Sequence, residues 1–263
     1  MAAIISTLIF GVALVLIFSE KVQRTIVAVV GASLMVGVGI LSGFYSEEEA
    51  IAAIDFETLG LLLGMMLLVV LLQQTGFFEY LAIMAGRWSA GNPVRLFILL
   101  GTITTVLSMF LDNVTTVVLI APVTILICEL LSINPVPMLI GEALLSDTGG
   151  AGTLVGDPPN ILIGAAAPFT FNDFLTHSLP IVVVAWLLVL FLLLWLFRKD
   201  LQPKPGAAEA VKKLDSAKAL HDPQSARRVL IVLGVAIVFF FIHNVVHLSP
   251  SFIALAAAGG ALL

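Results

Sequence analysis

Two short runs in this chain put oxygen-bearing side chains where apolar residues should continue: Leu111-Asp-Asn-Val-Thr-Thr116 and Gly149-Gly-Ala-Gly-Thr-Leu-Val-Gly-Asp-Pro-Pro-Asn160. The chemistry such groups support is ion binding. Asp157 before Pro158 reads as a helix start, a capping side chain followed by a proline whose missing N–H is no loss there. The preceding helix is expected to end over Ser146-Asp-Thr-Gly-Gly150, glycine leaving through left-handed conformations and the last carbonyls staying free for a cation. The first run repeats the arrangement, with a carbonyl end near Leu111 and an N–H end at Asn113 to Thr115. Opposed helix ends of this kind bind ions with few charged side chains.

Five acids stand in apolar surroundings: Asp112, Glu129, Glu142, Asp147 and Asp157. Burial makes each a candidate to carry a proton or hold sodium unless hydrogen bonds compensate. Glu129 lies near the end of its helix and is expected in water, whereas Glu142 is expected at an interface or hydrogen-bonded between helices. Asp157 is equally well explained as a cap. Asp112 beside Asn113 is the hardest to explain without a function, because a tight polar turn is costly at membrane depth.

The elements that position these residues are membrane helices. The chain is 60% hydrophobic and 11% charged, with a mean hydropathy of +1.15, which no water-soluble chain of 263 residues could carry without large exposed apolar patches. Long unbroken apolar runs exclude barrel strands, so the fold is all-α and its first partner is the lipid bilayer. Spans are expected near 3–19, 25–43, 58–75, 94–111, 114–131, 138–168, 179–197 and 229–247, with another from Ser251. Ser46-Glu-Glu-Glu49 has the capping-box pattern of a short interfacial helix. The 138–168 run is broken in its middle, each half spanning only part of a bilayer at roughly 1.5 Å per residue. Residues 94–131 are expected to form a re-entrant hairpin whose polar tip meets the break near the midplane.

All twelve Lys and Arg fall at Lys21 and Arg24, at Arg87 and Arg95, and between Arg198 and Arg228. The positive-inside rule puts these three places in the cytoplasm and the amino terminus outside. The chain thus divides into a first unit over 1–197, a cytoplasmic linker over 198–228 that is expected to be partly flexible, and a start of a second unit over 229–263. Gly234-Val-Ala-Ile-Val-Phe-Phe-Phe241 matches Gly11-Val-Ala-Leu-Val-Leu-Ile-Phe18 at five of eight positions, as an inverted repeat would. Asp147-Thr-Gly149 spells an aspartic-protease triplet, but on the wrong kind of element. His243 and His247 share a helix face without a carboxylate or cysteine neighbour, which suits a helix end better than a metal site. The lone Cys128 excludes an internal disulfide, and nothing points to nucleic acid.

In the two polar runs the sequence resembles the ion transporter superfamily of arsenite permeases, NhaD-type sodium/proton antiporters, melanosomal P-protein relatives, citrate transporters and sodium–dicarboxylate symporters. Asp112-Asn-Val-Thr-Thr116 is similar to the first hairpin tip of that family, and Gly149 to Asn160 to its broken fifth helix. The resemblance covers roughly residues 5–200 and implies an inverted-repeat, elevator-type transporter, often a homodimer, in a plasma membrane or bacterial inner membrane. It carries over Asp112, Asn113, Thr115, Gly150, Thr153 and Asn160 as site residues, with Na+ expected at Asn113 and Gly150; Thr116, Asp147, Gly149 and Asp157 join them from the motifs themselves. Asp-Asn at the tip is closer to the arsenite and NhaD-like branch, while Ser146-Asp-Thr148 departs from the Ser-Asn-Ile expected there. The second hairpin and break that complete the family's site are missing from these residues.

The leading expectation is secondary transport of a small inorganic or carboxylate anion, arsenite-, citrate- or dicarboxylate-like, coupled to Na+ or H+ and needing no cofactor. Sodium/proton exchange is the alternative. An enzyme is not expected, a membrane-embedded aspartyl hydrolase built on Asp147 and Asp157 being the reading from that class.

Overall fold

A computed structural model describes residues 2–167, 169–212 and 219–262. Every regular element among them is helical, and six helices are long and apolar enough to cross a membrane. The protein is an all-α integral membrane protein. Its chain separates into two compact units, residues 1–56 and 57–263.

The first unit holds α1 (Ala2–Ser19), α2 (Arg24–Leu41) and α3 (Glu47–Ala52). Leu, Ile and Val surround α1 on all sides and none of its residues is buried, as expected of a helix whose solvent is lipid. Gly31 lets α2 approach α1, since a Cβ there would come 3.2 Å from the Ala13 methyl. Helix α3 begins with the expected capping box: Glu49 N–H donates to Ser46 Oγ at 3.1 Å, and Ser46 N–H donates back to Glu49 Oε2 at 2.8 Å.

The second unit runs through α4 (Phe56–Gln74), α5 (Phe77–Trp88), α6 (Pro93–Ser108), α7 (Asn113–Leu130), α8 (Val136–Gly150), α9 (Pro158–Ala166), α10 (Phe171–Asp173), α11 (Leu179–Leu196), α12 (Ala207–Lys212), α13 (Pro223–Val246) and α14 (Pro250–Leu262). Helices α6 and α7 are joined by the short turn over 109–112, α8 and α9 by the stretch over 151–157, and α7 is among the helices long and apolar enough to cross a membrane. Between α9 and α11, Thr170 and Asp173 make a capping box at the start of α10, and a π-turn over Phe174–Ser178 runs on into α11. Two apolar cores result. One joins α4, the 151–157 break, α13 and α14 through Leu61, Leu68, Leu154, Phe171, Phe240 and Ala254. The other joins α5 through α8 and α11 through Phe97, Leu100, Ile127, Met138, Leu145 and Leu193.

Leu201, Ala207 and Val211 are buried in that second core, so part of the 198–228 stretch is fastened to the hairpin's base. The Lys204 ammonium donates to the Ser132 carbonyl, and His221 N–H donates to Thr75 O at 2.9 Å. Residues 213–218 of the stretch lie outside the described residues. One end of the unit thus gathers Thr75, the Ser89–Asn92 turn, Arg95, Ser132, Lys204 and His221. A cavity at the other end is lined by Glu57, Thr170, His243, Asn244 and Pro250. His247 closes α13 there in a left-handed conformation, φ 55°.

Candidate functional site

The hairpin tip and the helix break meet beside the middle of α4. A cavity of about 230 Å³ is lined on one side by Leu62, Met65 and Val69 and on the other by Asp112, Thr115 and Pro158. Those α4 residues are central in a span of 19 residues, so the polar groups lie at mid-depth.

Glycines make the approach possible by being small. A Cβ on Gly149 would come 2.3 Å from the Thr105 carbonyl oxygen, and one on Gly156 would come 2.6 Å from Gly150 O and 2.8 Å from Ser108 O. The left-handed exit expected at Gly149 and Gly150 does not occur. Helix α8 runs through Gly150 and its cap, Ala151, stays right-handed at φ −68°, ψ −10°. Close packing of α8 on α6, which only a missing side chain permits, explains the glycines instead.

Thr153 and Asn160 brace the break. The Thr153 hydroxyl donates to the Met109 carbonyl at the tip and accepts from Gly156 N–H at 3.1 Å. The Asn160 amide donates to Gly150 O at 3.0 Å and to Thr153 O at 2.8 Å. On the hairpin, Asp112 Oδ2 accepts from Thr115 N–H at 2.8 Å and from the Thr115 hydroxyl at 2.6 Å, capping α7, while buried Thr116 donates back to Asp112 O at 2.9 Å. Asn113 donates its side-chain amide to Asp147 Oδ1 at 2.7 Å, and its own Oδ1 accepts from Val114 N–H at 2.8 Å.

Asp157 departs from its expected role. It occupies the cap position of α9, yet its side chain makes no capping bond. Asp222 shows what that sequence pattern does elsewhere: it too precedes a proline, and its Oδ1 accepts from Gln224 N–H at 3.1 Å and Ser225 N–H at 3.0 Å. Pro159 is the difference. It removes the N–H that a cap would receive two residues on, and the third, Asn160 N–H, is taken by Asp157 O at 3.0 Å. The Asp157 carboxylate is left without a capping bond, close enough to Asp112 and Asp147 for them to act on it electrostatically.

Three carboxylates therefore converge from the tip, the end of α8 and the start of α9. No Lys or Arg occurs between Arg95 and Arg198. The two helix starts offer few N–H donors for an anion: Pro158 and Pro159 have none, and the first donors of α7 serve Asp112 and Asn113. The Gly150 carbonyl, at the end of α8, accepts from Asn160 and keeps one lone pair for a cation, whereas the Asn113 carbonyl accepts from the Ser146 hydroxyl, 3.0 Å away, as well as from the next turn of α7. Two participants escaped sequence reasoning. Ser108 Oγ stands 3.1 Å from Ser146 Oγ, and Thr105 donates to Leu145 O at 3.1 Å, so both tie α6 to α8. Their signal was small hydroxyl residues in an otherwise apolar helix, which is common enough to pass unnoticed.

The family model for the citrate transporter family, CitMHS, matches residues 14–262. An uncharacterized transporter of Mycobacterium tuberculosis is 44% identical over 98% of this chain and 60% of its own length. The 46 kDa membrane protein of Mycobacterium leprae is 42% identical, again over 98% of this chain and 60% of its own length. The P protein of Homo sapiens is 44% identical over 60% of this chain but only 19% of itself. The chain thus spans about 60% of the length of the mycobacterial relatives.

Proposed function

Because the chain belongs to the citrate transporter family, we propose that it forms the part of a secondary transporter that binds the coupling cation, Na+ or H+, at Asp112, Asp147 and Asp157, while a small anion is carried by the whole protein. The observation that carries this reading is the convergence of three carboxylates at mid-depth with no basic side chain among them. A cation lowers the cost of holding those charges close together at membrane depth, and a proton does the same by neutralising one. The carbonyl of Gly150 is the supporting ligand. The anion, carboxylate or inorganic, would need donors from elsewhere, and a second hairpin and break, from the remainder of the protein or a second copy of the chain, would supply them.

Sodium/proton exchange is the second reading. It is favoured by the scarcity of free N–H donors at the two helix starts, which leaves this part of the protein little with which to hold an anion. A transporter rather than an enzyme is the reading for both, since Asp147, one of the two carboxylates a hydrolase would need, is tied to Asn113. For orientation, Arg95, Lys204 and His221 gathering at one end of the unit support a cytoplasmic placement of the 198–228 stretch.

Uptake of radiolabelled citrate, dicarboxylates and arsenite into proteoliposomes holding the full-length protein tests the proposal. Accumulation driven by an inward Na+ or H+ gradient supports anion symport, and Na+-driven proton efflux without anion flux supports exchange. Flux indifferent to both gradients would overturn both.

A further inference from the structure

One ionisable group lies away from the tip and takes no part in the arrangement above. Glu142, in the middle of α8, is 1% exposed. Its Oε1 accepts from the Thr124 hydroxyl of α7 at 2.5 Å, and its Oε2 is buried with no partner among the described residues. Its other polar neighbour is the Cys128 thiol, one turn beyond Thr124 on the same face of α7 and fully buried.

The Phe97 ring of α6 packs on the neighbouring Gly141, where a Cβ would come 2.5 Å from Phe97 Cζ. The remaining ionisable groups of the elements around it are Arg95 on α6, Glu129 on α7 and Asp147 on α8, and none acts on Glu142. Helix α11, which also packs on α8, has no ionisable residue at all. A carboxylate with one hydroxyl donor, no cation and a bare oxygen in such a place carries nearly the full cost of leaving water. A carboxylic acid carries much less.

We propose that Glu142 is a proton-binding site of this protein, separate from the tip carboxylates: it holds a proton while α7 and α8 pack as described, and releases it when water reaches Oε2 through an opening of that seam. Proton binding at Glu142 follows from the packing alone; its link to transport rests on the function proposed above. Glu142 stands nearer the hairpin's open end than its tip, so the exchange is with the side that carries Arg95 and Lys204. Protonation and a closed seam favour each other, and by linkage anything that opens the seam releases the proton.

Infrared spectroscopy of the full-length protein in lipid reads the acid directly. The carbonyl stretch of a protonated carboxylic acid is expected at neutral pH in the wild type and lost in Glu142→Gln, which keeps the acceptor for Thr124. Thr124→Val, which leaves Glu142 in place, is expected to move that band to higher frequency by removing its hydrogen bond, and it serves if Glu142→Gln does not fold. A spectrum without such a band, or a band that survives Glu142→Gln and stays in place in Thr124→Val, overturns the proton site. In the transport assay Glu142→Gln is expected to keep uptake and lose its dependence on pH at the Arg95 and Lys204 side. A band assigned to Glu142 with transport pH dependence unchanged overturns the link, and absent flux in the wild type with the band intact overturns the transporter reading while leaving the proton site standing.

Discussion

The side-chain amide of Asn113, at the hairpin tip, donates to Asp147 Oδ1, on the last turn of α8, at 2.7 Å across 34 residues of sequence. Asp147 stands where the resemblance leads one to expect Asn, and this bond accommodates the carboxylate found there. Its neighbour Ser146 adds a second tie by reaching the Asn113 carbonyl at 3.0 Å. Tip and helix are joined by adjacent residues in different settings: Ser146 is buried, whereas Asp147 is exposed.

Asp147→Asn separates the bond from the charge. The amide oxygen still accepts from Asn113, so the packing survives, but one of three negative charges is lost. Apparent affinity for the coupling cation is expected to fall roughly tenfold, the equivalent of about 1.4 kcal/mol. The cation dependence of uptake in proteoliposomes measures it, and an unchanged half-saturation concentration would sink the role given to Asp147.

Pro159→Ala restores an N–H at the second position of α9. The Asp157 carboxylate then has the donor that Asp222 finds in Gln224, and it is expected to turn back and cap the helix. The substitution should stabilise the fold by up to about 1 kcal/mol while reducing cation affinity, a combination that a simple loss of packing does not produce. Thermal unfolding measured beside uptake reads both, and a fall in stability together with intact affinity counts against an uncapped, ion-facing Asp157.

Gly149→Ala and Gly234→Ala form a matched pair. The first drives a methyl to 2.3 Å from the Thr105 carbonyl oxygen, while the second has nothing within 4 Å. Overpacking of the first is expected to cost about 1–3 kcal/mol or more, whereas the second replaces a helical glycine by the best helix former and should gain up to about 1 kcal/mol. Midpoints of thermal unfolding in detergent should therefore move in opposite directions.

Asp222 gives a test of pH dependence outside the membrane. Bonds from the Ser225 side chain and N–H, and then from Gln224 N–H, hold its carboxyl below the usual carboxylate range. A group depressed in the folded state stabilises above its unfolded value, near ~3.9, and loses that contribution as the pH falls through the lower folded value. Hydrogen exchange in the first turn of α13 should quicken over that acid window in the wild type and be fast, without that window, in Asp222→Ala. Identical exchange in the two proteins would remove the cap.

Much of this architecture is legible in the chain, for a physical reason. Lipid offers no hydrogen bonds, so apolar runs of sufficient length become helices with little left to tertiary choice, and α1, α2, α4, α11 and α13 stand where their hydropathy places them. The hairpin and the break are legible because polar residues are too costly at membrane depth unless they line a cavity that the protein itself encloses. What composition hides is contact. Leu201, Ala207 and Val211 sit in a stretch whose average is polar, and only their burial against the hairpin's base reveals that it is fastened. Asp157 and Asp222 begin with the same dipeptide, and the difference between them depends on which N–H groups the next two residues can offer. The glycines at 149 and 156 read equally well as turn formers or as contact points until the backbone angles are known.

The apolar wall that Leu62, Met65 and Val69 of α4 turn toward Asp112 and Thr115 sets a condition on what can rest there. An ion seated between them meets oxygens on one flank and hydrocarbon on the other, so its water must be surrendered from the α4 side without replacement. Singly charged ions part with water readily, whereas Mg2+ keeps its shell. If the proposed cation rests there, the methylene and thioether lining of one transmembrane helix would act as a filter on valence, opposite the carboxylates that supply the attraction.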